Sequence, residues 1–198
     1  VPHFPPVTRF LMMACTAMFF IDLLVPVGGI LALWPLESGN FLPWQVVTYA
    51  FMHGHGDFGH LFFNMLALWM FGSEMEMLWG PRRYVQYVTA SILAAAAAQL
   101  LITALSGPPY YPTVGFSGAV FGLLLAYGMM FPNRTVVLLI PPMPMKAKTL
   151  VVVYGVLELV LGVYGGAGIA HFAHLGGMLG GWLMIRYWRG QAPFGRRR

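Results

Sequence analysis

The chain has 198 residues; 59% are hydrophobic, only 9% are charged, the formal net charge is +5 and the mean hydropathy is +0.72. Soluble domains carry roughly 25% charged residues, so this composition excludes a water-soluble globule, and its hydrophobicity excludes disorder. The positive balance does not point to nucleic acid, because the basic residues lie in loops between apolar runs, where membrane orientation signals sit.

A transmembrane helix takes about 20 residues, so the length fits six spans with short connections in one domain, 1–198. The first apolar run covers 8–32 and holds the lone Cys15; Asp22 and Pro26 interrupt its outer end. It lacks a small-residue cleavage site and reads as a span rather than a signal peptide. The connection 33–57 carries Trp34, Phe41, Trp44, Tyr49 and Phe51, an aromatic content suited to the membrane interface, and 43–52 fits a helix lying partly in the bilayer. Span two, 58–78, is entered through His53 and His55 and carries His60 and Asn64. Near its far end Glu74 and Glu76 read as caps or loop ties. Gly80-Pro81 ends it, and span three, 82–105, includes the helix-forming run Ala94–Ala98.

Gly107-Pro108-Pro109 separates span three from span four, 115–131, which opens on Gly115-Phe116-Ser117-Gly118. Pro132-Asn133 and Pro141-Pro142-Met143-Pro144 mark the next connection. Span five, 147–165, contains Glu158, where an unpaired charge is costly, so it is expected to be protonated or hydrogen-bonded between helices. After Gly165-Gly166, span six, 168–188, opens with His171 and His174 and carries Gly176, Gly177, Gly180 and Gly181.

The basic residues fix an orientation. Arg9, Arg82, Arg83, Arg134, Lys146, Lys148, Arg186, Arg189 and Arg196–Arg198 fall before span one, between two and three, between four and five, and at or after the end of six. The connections 33–57, 106–114 and 166–167 carry none. Six spans with both termini cytoplasmic place every positive charge inside.

The polar residues then gather at the external side. Ser117 begins a helix, where free N–H groups and the dipole favour negative charge. The flanking Gly115 and Gly118 let the backbone approach closely. His174 can supply the base that a serine nucleophile needs. The small-residue pairs Gly118/Gly122 and Gly177/Gly181 would bring spans four and six together. His60 and Asn64, four apart, share a helix face and can donate to an oxyanion. With Asp57 in a loop, no third carboxylate is evident for His174, so a dyad is the simpler reading.

These residues resemble the rhomboid family of intramembrane serine proteases over about residues 40–185. The resemblance rests on His55-x4-His60-x3-Asn64, Gly72-x3-Glu76-x3-Gly80, Gly115-Phe116-Ser117-Gly118 and Ala173-His174-x2-Gly177-x3-Gly181, in this order. It implies an all-α, six-helix membrane fold. It also implies Ser117 as nucleophile, His174 as general base, and an oxyanion site of Asn64, His60 and the Ser117 backbone N–H. Substrates would be transmembrane segments of other membrane proteins, with no cofactor and no metal. Phe121 stands where the family often has a tyrosine packed on the catalytic histidine. Gln45 after Trp44 stands where the first external loop often has arginine. Register with His60 and Asn64 selects His55 as the upstream supporting histidine, whereas counting from Trp44 selects His53. A compact six-span chain with a short basic tail suggests the bacterial inner membrane. Two other readings stand beside this one: an inactive rhomboid-like scaffold, and a metal-binding membrane protein using His53, His55, His60, His171 and His174.

Overall fold

The computed structural model describes residues 4–108, 110–138, 142–165 and 170–193. Pro109, Pro141, the connection 166–167 and Arg196–Arg198, all used in the sequence reading, lie outside the described residues. The chain is mostly helical. Its helices are α1 (Pro6–Leu24), α2 (Gly28–Leu31), α3 (Gln45–Thr48), α4 (Phe58–Ala67), α5 (Ser73–Trp79), α6 (Pro81–Ser106), α7 (Ser117–Met130), α8 (Ala147–Tyr164) and α9 (His171–Trp188). Among the described residues, α1, α6 and α8 are long and apolar enough to cross a membrane.

Three other elements depart from that pattern for physical reasons. Between α4 and α5 a π-type turn, Leu68–Gly72, interrupts what the sequence suggests as one helix. At Gly72 a side chain would meet the Tyr84 hydroxyl and Leu68. Helix α9 owes its lower hydropathy chiefly to His171, His174 and Arg186, and its four glycines and both histidines are buried. Helix α7 has only 14 residues, yet Gly118, Ala119, Val120, Leu123, Leu124 and Ala126 among others are buried. It is a central helix, shielded by its neighbours.

The run expected over 8–32 ends as a helix at Leu24. The Asp22 carboxylate accepts the backbone N–H groups of Val27 (2.9 Å) and Gly28 (3.1 Å), which turns the chain around Pro26. At the other end of α1, Glu76 does what the unpaired helix donors require. It accepts from the Val7 N–H, the Thr8 N–H and the Thr8 hydroxyl at 2.7–2.9 Å. An acid in α5 thus caps α1 across 68 residues of chain.

The long external connection is a folded unit. Gln45, fully buried, accepts from the Trp34 and Leu42 N–H groups and donates to the Ile30 and Asn40 carbonyls. A neutral amide, with both donors and acceptors, suits that position as no arginine would. The expected helix over 43–52 is α3 followed by the 3-10 turn Tyr49–Phe51. On the opposite side of the molecule the all-α expectation missed a small antiparallel hairpin, β1 (Thr135–Val137) with β2 (Pro144–Lys146), in the proline-rich connection. There Arg134 meets Glu74 at 3.0 Å, so Glu74 is a loop tie.

Helix α9 packs between α6 and α7 and takes α8 on a further side. Its two glycine rows do different work. A side chain at Gly176 or Gly180 would strike Ala94 or Ala98 of α6, so the alanine run is the groove that receives α9. On the other row, a side chain at Gly177 would run into the Gly118 carbonyl of α7, and one at Gly122 would stand 3.0 Å from the Gly177 carbonyl. The two backbones are in contact along this row.

Candidate active site

The contact of α7 with α9 brings Ser117 and His174 together. Ser117 is the first residue of α7, and His174 lies one turn into α9. Ser117 Oγ and His174 Nε2 are 2.7 Å apart, hydrogen-bond distance. The His174 ring lies flat on Phe121, with centroids 4.3 Å apart and planes within 5° of parallel. Phe121 is one turn beyond Ser117 on the same helix, so α7 supplies both the hydroxyl and the surface that holds the imidazole edge toward it.

The approach to Ser117 is set by Gly115. Its N–H donates to the Tyr49 carbonyl at 3.0 Å, and Leu33 and Thr113 exchange backbone hydrogen bonds just before it, so the external connection anchors this loop. Gly115 has φ +124°, a conformation that L side chains rarely adopt. A β-carbon there would stand 2.8 Å from His60 Nε2 and 3.5 Å from Ser117 Oγ. The missing side chain therefore leaves a small space flanked by the serine and an imidazole nitrogen.

His60 is oriented by the start of its helix. Asp57 caps α4 by accepting the His60 N–H at 2.9 Å. The Gly54 N–H points at His60 Nδ1 at 3.3 Å, so Nδ1 acts as acceptor and the proton of a neutral ring sits on Nε2, facing the space beside Gly115. Asn64 is buried one turn on; it donates to the His60 carbonyl at 2.9 Å, and its Oδ1 has no partner among the described residues.

The upstream histidines divide differently from the expected register. His55 has an exposed side chain, and its Nδ1 lies 3.1 Å from Asp22 Oδ2. It ties the external connection to the end of α1 and does not border Ser117. His53 is the buried one, and its ring packs on His60 with centroids 5.1 Å apart. Burial pushes His53 down to about 4, the nearby His60 adding to the effect and the Phe51 backbone and Asp57 opposing it. The structure thus sets His53, and not the expected His55, beside His60. Gly54 separates the two histidines, and Gly56, at φ +72°, turns the chain just after them, which residue spacing alone does not reveal.

A carboxylate also stands behind His174, contrary to the reading that none was available. Glu158 of α8 is buried, with Oε2 2.7 Å from His171 Nδ1 and 2.9 Å from His174 Nδ1. The first pair is aligned as a hydrogen bond; the second is close but out of line. No local spacing in the sequence connects α8 to α9. The available signal was cost alone, a single acid inside an apolar run. Of the histidines expected for a metal site, His171 and His174 gather with Glu158, their ligand atoms within 4.8 Å of one another, whereas His55 is at Asp22 and His53 stacks on His60.

Comparison with known proteins points to one family. The family model described as Rhomboid domain matches residues 41–190. The chain is 27% identical over 188 residues to the rhomboid protease GlpG of Yersinia pestis, covering 92% of this chain and 62% of that protein. A GlpG of Yersinia pseudotuberculosis matches to the same extent. The chain is also 33% identical over 91 residues to the mitochondrial Rhomboid protein 1 of Saccharomyces cerevisiae, 46% of this chain and 26% of that protein. It therefore spans less than two thirds of the length of these relatives.

Proposed function

The chain belongs to the rhomboid family, and from that premise we propose that it is an intramembrane serine endopeptidase acting on transmembrane segments of other membrane proteins. The observation that carries the proposal is the 2.7 Å contact of Ser117 Oγ with His174 Nε2 at the start of a buried helix. Ser117 Oγ attacks the scissile carbonyl and its proton passes to His174 Nε2. The carbonyl electron pair moves onto oxygen, and the oxyanion is met by the Ser117 N–H, by His60 Nε2–H and by Asn64, which has a second amide N–H to offer. Collapse breaks the C–N bond as His174 returns the proton to the leaving amine. Water, admitted from the external side, then hydrolyses the acyl-enzyme by the same route.

In this reading the six spans are α1, the α4–α5 run, α6, α7, α8 and α9, with both termini cytoplasmic and the protein in a bacterial inner membrane. Helix α7, at 14 residues, is about 21 Å long. A hydrocarbon core is about 30 Å thick. It is thus shorter than the core, and in this reading its N-terminus lies below the external surface, with Ser117 at the depth of a substrate helix. Helix α8, with few buried residues, is the candidate gate by which a substrate enters.

A fluorescent fluorophosphonate applied to the detergent-purified protein tests the chemistry. Phosphonylation of Ser117 with loss of fluoride is expected in wild type and absent in Ser117→Ala and His174→Ala. Absence of labelling in folded wild type would favour an inactive scaffold. Labelling retained in His174→Ala would move the base elsewhere.

A further inference from the structure

We infer that Glu158 is a positioning residue for His174, so that the site works as a Ser117–His174–Glu158 relay. The inference rests on the protease reading above and goes beyond its dyad. A histidine that takes a proton at Nε2 must carry its own proton on Nδ1; the other tautomer presents an N–H to the serine and cannot act as base. Ser117 and Phe121 fix where the His174 ring lies, but neither selects the tautomer. Glu158 Oε2, 2.9 Å from His174 Nδ1, does. An ionised carboxylate only accepts hydrogen bonds, so it favours a proton on the nitrogen facing it. When Ser117 gives up its proton, the same carboxylate faces the imidazolium; no proton needs to move onto Glu158. The off-line angle at His174 is what catalytic hydrogen bonds often show before substrate tightens them.

Two further observations support a built contact. Only Ala147, Leu150 and Glu158 are buried along α8, so the acid is the sole buried side chain in the outer half of that helix. One turn beyond it, Gly162 approaches α9 so closely that a β-carbon would stand 3.0 Å from the Phe172 ring and 3.3 Å from the His171 Cβ. Gly162 lets α8 come near enough for Glu158 to reach both histidines. His171 Nδ1, at 2.7 Å, takes up a second lone pair and holds the carboxylate in place. Both separations suit N–H···O bonds.

The test uses the full chain, with Glu158→Gln, Glu158→Asp and Leu150→Ala, the last loosening α8 without touching the cluster. Fluorophosphonate labelling rates, thermal midpoints and nitrogen-15 spectra of the histidine rings are measured on each. A glutamine can accept from one Nδ1–H while turning an N–H toward the other ring, so Glu158→Gln is expected to slow labelling by about 10²–10⁴-fold. It should also move His174 toward the Nε2–H tautomer. Glu158→Asp should recover part of the rate and the Nδ1–H signal, and Leu150→Ala should lower the midpoint and keep both. The inference is overturned if Glu158→Gln keeps the wild-type rate and tautomer, or if Leu150→Ala reproduces its losses. Wild type that does not label but holds the Nδ1–H tautomer only when Glu158 is present would sink the protease reading and leave the positioning role standing.

Discussion

At the scale of the residue, polar groups were visible in the sequence wherever their cost or spacing marked them, and were misplaced wherever a turn intervened. Ser117 and His174 could be chosen because a glycine-flanked serine and a histidine ahead of a glycine row are local patterns. His53 and His55 could not be told apart, since both fit one register or another, and only folding buries one and leaves the other at Asp22. His53 carries a pH prediction. Unfolded, it would titrate near 6.5; folded, burial holds it near 4. Between those values the unfolded chain binds more protons, so the stability that His53 contributes is complete above about pH 6.5 and is lost as the pH falls toward 4. At about 1.4 kcal/mol per pH unit the loss reaches about 3 kcal/mol. Replacing His53 by Phe should shrink the drop in thermal midpoint between pH 7.5 and pH 5.0. Equal drops in both proteins would refute the assignment.

At the scale of the element, the glycine rows were legible as small-residue pairs, but not their partners. The sequence suggested Gly118/Gly122 facing Gly177/Gly181; it did not suggest that Ala94–Ala98 receives Gly176 and Gly180, because an alanine run reads equally well as mere helix former. The π-type turn and the hairpin were not legible at all, since each depends on what packs against it. The packing predicts a sharp contrast between two glycines. At Gly177 a methyl group would strike the Gly118 carbonyl, a backbone atom that cannot step aside. Gly177→Ala should cost about 1–3 kcal/mol and lower the labelling rate, as overpacked contacts do. Gly29, in α2, has nothing within 4 Å of its absent side chain. Gly29→Ala should leave the rate unchanged and raise stability by about 0.4–1 kcal/mol. Thermal unfolding of the two variants decides; comparable effects from both would mean that α7 and α9 do not touch as described.

At the scale of the whole molecule, the proposed orientation rests on charge distribution and the proposed six spans on length, whereas among the described residues helix length and hydropathy alone recover three candidate spans. The difference is physical. A helix that lies among other helices needs neither full span length nor uniform apolarity, and α7 and α9 are of that kind. Cys15 is fully buried, so the native chain is a quiet background for thiol labelling. In sealed cells, an impermeant maleimide should label Ser38→Cys from outside and reach Lys148→Cys only after lysis. The reverse pattern would invert the proposed orientation. One feature of the interior bears on how such a protein meets its surroundings. Ser117 and His174 hang from main chains that touch along the Gly118, Gly122 and Gly177 row. Changes in lipid chain length, lateral pressure or temperature press first on the outward faces of α1, α6 and α8. Under the proposed function, the Ser117–His174 spacing is therefore shielded from the bilayer, and a change of host membrane is expected to tune which substrate helices gain admission rather than how fast an admitted bond is cut.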